Sequence, residues 1–433
     1  MPALNRRKFL GVLASGTAYG PERPAARLVP VALGHAANSV NATIFCHPVA
    51  SLGDVQYAAF YDPGGQVILA RRKLGKPAWD IRRTGLRGNT KDAHNGISLG
   101  LDGAGRLHMA WDHHASPLKY VQSAEPGSLL LTEPLPLTGT RESRVTYPEF
   151  FRVARGGLLM LYRDGSSGRG DTILKRYDPV SRRWSAIAEP LITGEGERNA
   201  YTFQIAVDRR GAWHLAWCWR ETPDVSSNHD LCYARSADEG RTWTSSSGAP
   251  LRLPVTAATA EYALRIPQGS DLINQCTIAV DSRGRPVIAA YWKPDGEPSA
   301  QYQVLWHDGG KWRAAQVGRR KGTFRLGGAG TRSIPISRPM VLCGRDGEVF
   351  VVFRDEERGN AVSVARCRDL RNPVWRIAEI STEPLDRWEP TCDRELWASR
   401  GVLHMLHQRV GQGDGEQSTE VVPQMVSILE WQP

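Results

Sequence analysis

The segment Ser236-Ala237-Asp238-Glu239-Gly240-Arg241-Thr242-Trp243 closes a unit of alternating apolar and polar residues that begins at Phe203. Alternation with a period of two is typical of β-strands that bury one face. Asp238 and Gly240 are turn-forming residues, and Trp243 is a closing tryptophan of the kind that ends several units. An earlier turn in the same unit reads Asp208-Arg209-Arg210-Gly211. The unit therefore predicts a small antiparallel sheet that ends on a packed indole.

The same pattern of strand, glycine-containing turn and strand recurs along the chain. Seven copies begin at Gln56, Ile97, Phe150, Phe203, Cys276, Met340 and Thr391. Because one small sheet cannot bury both of its faces, repeated sheets of this kind pack radially around a common axis. The sequence predicts an all-β fold, a seven-bladed β-propeller whose C-terminal strand closes against the first blade. The segment at Ser236 resembles the Asp-box, the turn of BNR-like propellers.

The N-terminus resembles an export signal. It reads Asn5-Arg6-Arg7-Lys8-Phe9-Leu10, a twin arginine before a short apolar run, as in Tat leaders. We predict a leader over residues 1–28 and a single propeller domain over residues 29–433, in a monomer exported to the periplasm or the medium. The alternative is a chance basic start to a cytoplasmic protein. No later apolar run approaches the ~18 residues that cross a membrane.

The charge of the chain favours an anionic partner. The formal net charge is +10, but the basic residues are scattered and form no nucleic-acid-binding module. An acidic polysaccharide is therefore the expected partner, rather than a nucleic acid.

The seven cysteines form no C-x-x-C pair, so we expect buried thiols in strands. A single disulfide or a Cys/His metal site is the alternative.

Five side chains form the candidate catalytic set. His94 precedes one strand and His114 ends the next, so a hairpin should bring the two imidazoles together. Tyr147 and Arg163 are separated by about one hairpin, and Tyr201 precedes the fourth unit as Tyr147 precedes the third. Taken singly, each residue is more simply read as structural. Together they supply a base, an acid and a fixed positive charge, the groups that remove a proton from carbon beside a carboxylate.

Four motifs carry a family resemblance over nearly the whole chain. They read Asp92-Ala93-His94-Asn95, Trp111-Asp112-His113-His114, Thr146-Tyr147-Pro148-Glu149-Phe150-Phe151 and Tyr162-Arg163-Asp164-Gly165. As a set they resemble the BNR-4 group of propellers, which includes ulvan lyases and L-rhamnose-α-1,4-D-glucuronate lyases.

The resemblance implies β-elimination at a rhamnose-α-1,4-glucuronate linkage, which leaves a 4,5-unsaturated uronate. It implies an active site at the two histidines, two tyrosines and arginine described above. Further candidates for contact with substrate are Asn95, His113, Arg220, His229, Asn274 and Arg338. His113 should point to the opposite face from His114. The chemistry requires no cofactor, and a structural calcium or zinc ion is left open.

Two other classes of function remain as alternatives. Arg265-Ile266-Pro267 is similar to the Arg-Ile-Pro motif of sialidases, which makes a glycoside hydrolase one alternative. The motif follows the Asp-box, however, and so lies in the wrong repeat for a sialidase. A non-catalytic glycan-binding propeller would keep the tryptophans and arginines but would not need paired histidines and tyrosines.

Overall fold

The computed structural model describes residues 26–37, 40–44, 46–330, 332–415, 419 and 421–433. The first strands are β1 (Arg27–Gly34), β2 (Val49–Leu52), β3 (Val55–Tyr61), β4 (Gln66–Lys73), β5 (Asp80–Arg87), β6 (Ile97–Leu101), β7 (Leu107–Trp111), β8 (Tyr120–Gln122), β9 (Val145–Arg152), β10 (Leu158–Ser166), β11 (Arg169–Asp178), β12 (Arg183–Ile192), β13 (Asn199–Val207) and β14 (Trp213–Arg220). They are followed by β15 (Asn228–Ser236), β16 (Trp243–Thr244), β17 (Pro250–Leu251), β18 (Glu261–Leu264), β19 (Thr277–Val280), β20 (Pro286–Trp292), β21 (Gln301–His307), β22 (Trp312–Gln316), β23 (Met340–Cys343), β24 (Val349–Arg354), β25 (Val362–Cys367), β26 (Trp375–Glu379), helix α1 (Arg394–Arg400), β27 (Leu403–His407) and β28 (Gln424–Trp431).

Hydrogen bonds gather these strands into small sheets that follow chain order. β2–β5, β6–β8, β19–β22 and β23–β26 each form a separate antiparallel sheet. β9–β12 and β13–β18 count as one large sheet because a single parallel bridge joins Gly170 to Asn199. The all-β prediction is confirmed. The number of blades and their closure around an axis stay a prediction.

The two ends of the described chain share one sheet. β28 lies between β1 and β27, and it pairs with β1 from Arg27↔Glu430 to Gly34↔Gln424. β1, which precedes the first repeat, supplies the hydrogen-bonded partner of β28. Closure of the C-terminal strand against the first blade stays a prediction. The predicted leader falls largely on residues 1–25, outside the described residues. Its last two residues, Arg27 and Leu28, are the first two of β1.

One type of turn recurs between the first two strands of several units. An aspartate side-chain oxygen accepts hydrogen bonds of 2.8–2.9 Å from the backbone N–H groups two and four residues later. A glycine with φ of 80–84° follows three residues after the aspartate, a conformation that a side chain would strain. This turn occurs at Asp102, Asp208 and Asp281. The side-chain bonds are the physical reason for the repeated Asp-x-x-Gly pattern in the sequence.

The turn at Ser236–Trp243 has its own hydrogen-bond pattern. Asp238 accepts bonds from the Ser236 hydroxyl at 2.9 Å and from the Thr242 backbone N–H at 2.9 Å. The indole of Trp243 is buried and donates to the Gly240 carbonyl at 3.2 Å. Its assignment as an Asp-box stays a prediction.

The last unit departs from the predicted pattern. Its first strand was expected from Thr391 onward, but residues 394–400 form helix α1. The Asp393 side chain caps the helix by accepting from the Leu396 N–H at 3.1 Å, and Gly401 ends it with a φ of 69°. The strand prediction is wrong here because these two capping residues favour a helix over an alternating strand.

The thiol groups lie where the sequence predicts them. All seven cysteines are free thiols, and all but Cys343 are buried, which confirms the expectation of buried thiols. Within the described residues, no helix is long and apolar enough to cross a membrane.

Candidate active site

The hairpin of β6 and β7 places His94 and His114 side by side. His94 lies just before β6, His114 lies just after β7, and the strands pair at Ile97↔Trp111. The two imidazole rings stack with their centroids 3.9 Å apart and an interplanar angle of 16°. The predicted proximity of the two histidines is present in the structure.

Asp92 joins the two imidazoles through its carboxylate. One oxygen lies 2.5 Å from Nδ1 of His94, and the other lies 2.6 Å from Nδ1 of His114. Burial opposes ionisation of Asp92, yet the hydrogen bonds from His114 and His94 lower its pKa well below the usual range. An ionised carboxylate only accepts hydrogen bonds, so Nδ1 of each imidazole carries a proton.

His94 is held in its neutral form. Burial, together with the charges of His114 and Arg163, lowers its pKa to about 4, although the contact with Asp92 acts in the opposite direction. Its side chain is 12% exposed, against 34% for His114. His94 is therefore the more enclosed base of the pair.

Tyr147 lies in β9 beside His94 in a strained backbone conformation. Its φ is 55°, which is unusual for a residue with an aromatic side chain, and the β9–β10 register shifts between Leu161 and Arg163 opposite it. The Tyr147 ring lies 5.7 Å from the ring of His94 and 5.1 Å from Cζ of Arg163. Burial, reinforced by the neighbouring Tyr201, raises the pKa of Tyr147 to about 12. Non-glycine residues held in such conformations cluster at functional sites.

Two arginines converge on the hydroxyl of Tyr201. Arg220 donates to this oxygen at 3.0 Å and Arg163 at 3.4 Å, while Arg163 also donates to Thr146 Oγ1 at 3.0 Å. Burial on its own raises the pKa of Tyr201, but the charges of Arg220 and Arg163 overcome this and lower it. Arg220 also donates to Oδ1 of Asn274 at 2.9 Å. The five predicted catalytic side chains thus lie together, with Arg220 and Asn274 beside them.

The remaining predicted contacts fall into two groups. Arg338 adjoins the cluster through its bond to the Asn274 carbonyl at 3.2 Å, and it is paired with Glu389 at 3.2 Å. His229 instead contacts Glu221 at 2.8 Å and Asp230 at 3.0 Å, and these carboxylates raise its pKa despite partial burial.

Asn95 and His113 make contacts that hold local structure. The Asn95 side-chain amide donates to the Asn89 backbone carbonyl at 2.9 Å, and the Asn95 backbone carbonyl accepts from the Tyr61 hydroxyl. Nε2 of the buried His113 accepts from the Lys119 backbone N–H at 2.8 Å, and burial lowers the pKa of His113 to about 3. These bonds hold the two residues at one end of the hairpin, and their contact with substrate stays a prediction.

Some contributors to the cluster were not among the predicted site residues. Asp92 bridges the histidines, Gln275 hydrogen-bonds Tyr147, and Ser167 lies 3.1 Å from the Tyr201 hydroxyl. The Asp-x-His spacing of Asp92 and His94 was a usable signal, because a carboxylate two residues away can reach Nδ1. Gln275 and Ser167 lie in other loops and left no such signal.

A cavity lies at the other end of the same strands. It has a volume of about 550 Å³ and is lined by Arg152 and Val207, the last residues of β9 and β13. Tyr147 and Tyr201 lie near the first residues of those strands, about 17 Å away along β9 at the usual rise per residue. The cavity therefore does not include the candidate active site.

The comparisons with known proteins agree with this architecture. The BNR repeat-containing family matches residues 55–320, more than half of the chain, and the chain belongs to that family. No curated protein matches its sequence.

Solved structures of polysaccharide lyases share the fold. The crystal structure of polysaccharide lyase Uly1 is 14% identical, with a TM-score of 0.68 over 94% of this chain and 99% of that one. An ulvan lyase is 13% identical, with a TM-score of 0.65 over 91% of this chain and 98% of that one. An ulvan lyase bound to -[GlcA(1-4)Rha3S]- is 12% identical, with a TM-score of 0.64 over 91% and 98%. At these identities the likeness shows that this chain has the propeller-like fold of those lyases.

Proposed function

We propose that this protein is a polysaccharide lyase that cleaves a rhamnose-α-1,4-glucuronate linkage by β-elimination. The observation that carries the proposal is the Asp92-bridged pair of His94 and His114, packed beside Tyr147, whose ring also contacts Arg163. The fold shared with an ulvan lyase that binds a glucuronate–rhamnose unit supports this choice of substrate. The proposal extends to a seven-bladed arrangement of the sheets.

His94 is the proposed base. Its Nδ1 proton is directed at Asp92, so Nε2 is the nitrogen proposed to take the proton from C5 of the glucuronate. As that proton leaves, a C4–C5 double bond forms and the bond from C4 to the leaving oxygen breaks. His114, held by the other oxygen of Asp92, is placed to contact the same sugar.

Tyr147 is the proposed acid. With a pKa of about 12 its phenol carries a proton at neutral pH, and the ring adjoins that of His94. The phenol proton passes to the departing O4, which leaves a phenolate beside an imidazolium. Return of the proton from His94 to Tyr147, directly or through solvent, restores the enzyme. No water is consumed in the reaction.

Arg163 and Arg220 are proposed to bind the uronate carboxylate. Removal of the C5 proton places a second negative charge on the carboxylate group, and a fixed guanidinium stabilises that charge best. Both arginines reach the hydroxyl of Tyr201, and the buried Nε of Arg163 has no hydrogen-bond partner among the described residues. Asn274 orients Arg220 from the other side.

A glycan-binding propeller and a glycoside hydrolase are the competing functions. Incubation with gum arabic, arabinogalactan and ulvan distinguishes them. A lyase generates the ultraviolet absorbance of unsaturated uronates, a hydrolase releases reducing sugar without that absorbance, and a binding module does neither. Absorbance that appears with one of these glycans and is absent with Tyr147→Phe is the expected result.

The cellular setting belongs to the same proposal. Residues 1–28 act as an export leader, and the enzyme works as a monomer on an acidic polysaccharide outside the cytoplasm. The proposed chemistry needs no cofactor, since the base, acid and positive charges all come from side chains.

A further inference from the structure

We propose that Asp92, His94 and His114 also bind a single zinc ion, and that the bound ion inhibits the enzyme. One ligand atom from each of the three side chains can be chosen so that all lie within 4.8 Å of one another. The binding part of the proposal stands on this cluster alone. The inhibition part rests on the proposed function, in which His94 is the base.

The donor set suits zinc better than calcium or magnesium. Two imidazole nitrogens and one carboxylate oxygen are ligands that zinc prefers, whereas calcium and magnesium favour oxygen ligands alone. Tetrahedral zinc with bonds of about 2.0–2.1 Å needs ligand atoms about 3.3 Å apart. The ring nitrogens lie 2.5 and 2.6 Å from the carboxylate oxygens, so these contacts must lengthen by about 0.7–0.8 Å to admit the ion.

The site is open on one side. The His114 side chain is 34% exposed, so an ion can enter from solvent and keep a water molecule in its fourth position. Three protein ligands and the nearby positive charge of Arg163 make the site weaker than a four-ligand structural site. The ion is thus expected to exchange with solvent and to be removed by a chelator.

Inhibition follows from the position of the imidazole proton. Zinc bound at Nδ1 of His94 replaces the proton that this nitrogen now directs at Asp92. A neutral imidazole carries one proton, which must then lie on Nε2. Nε2 changes from an acceptor into a donor, so His94 no longer accepts the proton from C5.

Titration calorimetry of the full chain with zinc chloride, without any glycan, tests the binding directly. We expect one equivalent of zinc to bind, and calcium chloride to give no comparable heat. Cobalt(II) should bind with the visible absorption of a low-coordinate nitrogen-ligated ion. His114→Ala and Asp92→Asn should each weaken zinc binding by about tenfold or more.

His307→Ala is the matched control, because His307 lies in β21 outside the cluster. It should bind zinc as the wild type does. Absence of zinc binding to the wild type, or equal binding by wild type, His114→Ala and Asp92→Asn, overturns the site. Circular dichroism of each variant shows whether a loss of binding reflects unfolding. His114 is partly exposed, so the His114→Ala variant should fold and still tests the site if Asp92→Asn does not fold.

The inhibition is tested separately with active enzyme. Zinc should abolish formation of unsaturated product at the concentration at which it binds, and a chelator should restore it. Full activity with zinc bound overturns the inhibition while leaving the site intact. If zinc binds as described but the protein cleaves no glycan, the proposed function fails and the binding site stands.

Discussion

The rings of Tyr147 and Tyr201 lie with their centroids 6.4 Å apart, yet their pKa values move in opposite directions. Burial raises that of Tyr147 to about 12. Arg220 and Arg163 overcome the effect of burial on Tyr201 and lower its pKa. Neighbouring groups whose pKa values are driven apart are typical of acid–base pairs in active sites. The difference favours Tyr147 as the proton donor and Tyr201 as a group that helps to hold the arginines.

Tyr147→Phe should lower kcat by roughly 10²–10⁴-fold with little change in KM, because it removes the proton donor and keeps the ring. Steady-state rates of unsaturated-product formation measure this. Tyr291→Phe is the control, since the buried Tyr291 hydroxyl has no hydrogen-bond partner among the described residues. Near-full activity of Tyr147→Phe would assign this residue to the scaffold.

Arg163→Ala should weaken binding and slow turnover together, because the carboxylate is charged in the substrate and in the transition state. A loss of about 10- to 100-fold in kcat/KM is expected from a charged hydrogen bond. Arg163→Lys should recover only part of it, since one ammonium cannot reproduce a guanidinium contact. Arg285→Ala, which removes a pair with Asp281 in a distant turn, should leave kcat/KM unchanged.

Asp92→Asn should lower kcat by about 10- to 100-fold while KM stays nearly constant. The amide can donate to Nδ1, which allows the proton to move to Nε2 of His94. Nitrogen-15 resonances of the two imidazoles should therefore report a change of tautomer that a purely structural role does not cause. Asp102→Asn is the control: it alters the Asp102–His108 pair elsewhere in the fold and should keep the wild-type kcat. If the imidazole tautomers are unchanged in Asp92→Asn, Asp92 does not position the histidines.

Glu149 should make the free energy of unfolding depend on pH. Burial raises its pKa from 4.5 to about 8 in the folded protein, although Arg394 and Ser98 act in the opposite direction. Between these values the unfolded chain loses this proton and the folded chain keeps it, so stability falls as pH rises from about 4.5 to about 8 and is level above.

Glu149→Gln removes that slope. Compared with wild type, the variant should be relatively more stable at about pH 8 than at about pH 5, as measured by chemical denaturation at both values. The exposed Glu133→Gln is the control and should show the same difference from wild type at both pH values. An equal offset for Glu149→Gln at both pH values is the contradicting result.

The sequence predicted the parts of the site that follow from strand pairing. Hairpin logic places His94 against His114, and the same logic brings Tyr147 and Arg163 together through β9 and β10. The sequence also predicted Arg220 as a substrate contact, and in the structure Arg220 donates a hydrogen bond to the Tyr201 hydroxyl.

The features that escaped prediction depend on backbone angles and side-chain directions. The positive φ of Tyr147 and the bridging position of Asp92 are three-dimensional consequences that alternation does not encode. Helix α1 escaped because the capping by Asp393 and Gly401 outweighed an apparent strand. His229 contacts Asp230 and Glu221, and its contact with substrate stays a prediction.

Cleavage in water enriched with heavy oxygen tests the central claim most directly. β-Elimination uses no water, so the products should contain no heavy oxygen, and the new non-reducing end should show the vinyl proton of an unsaturated uronate by NMR. Incorporation of one heavy oxygen atom per bond cleaved, without a vinyl proton, would mean that the protein hydrolyses its substrate and that the lyase assignment is wrong.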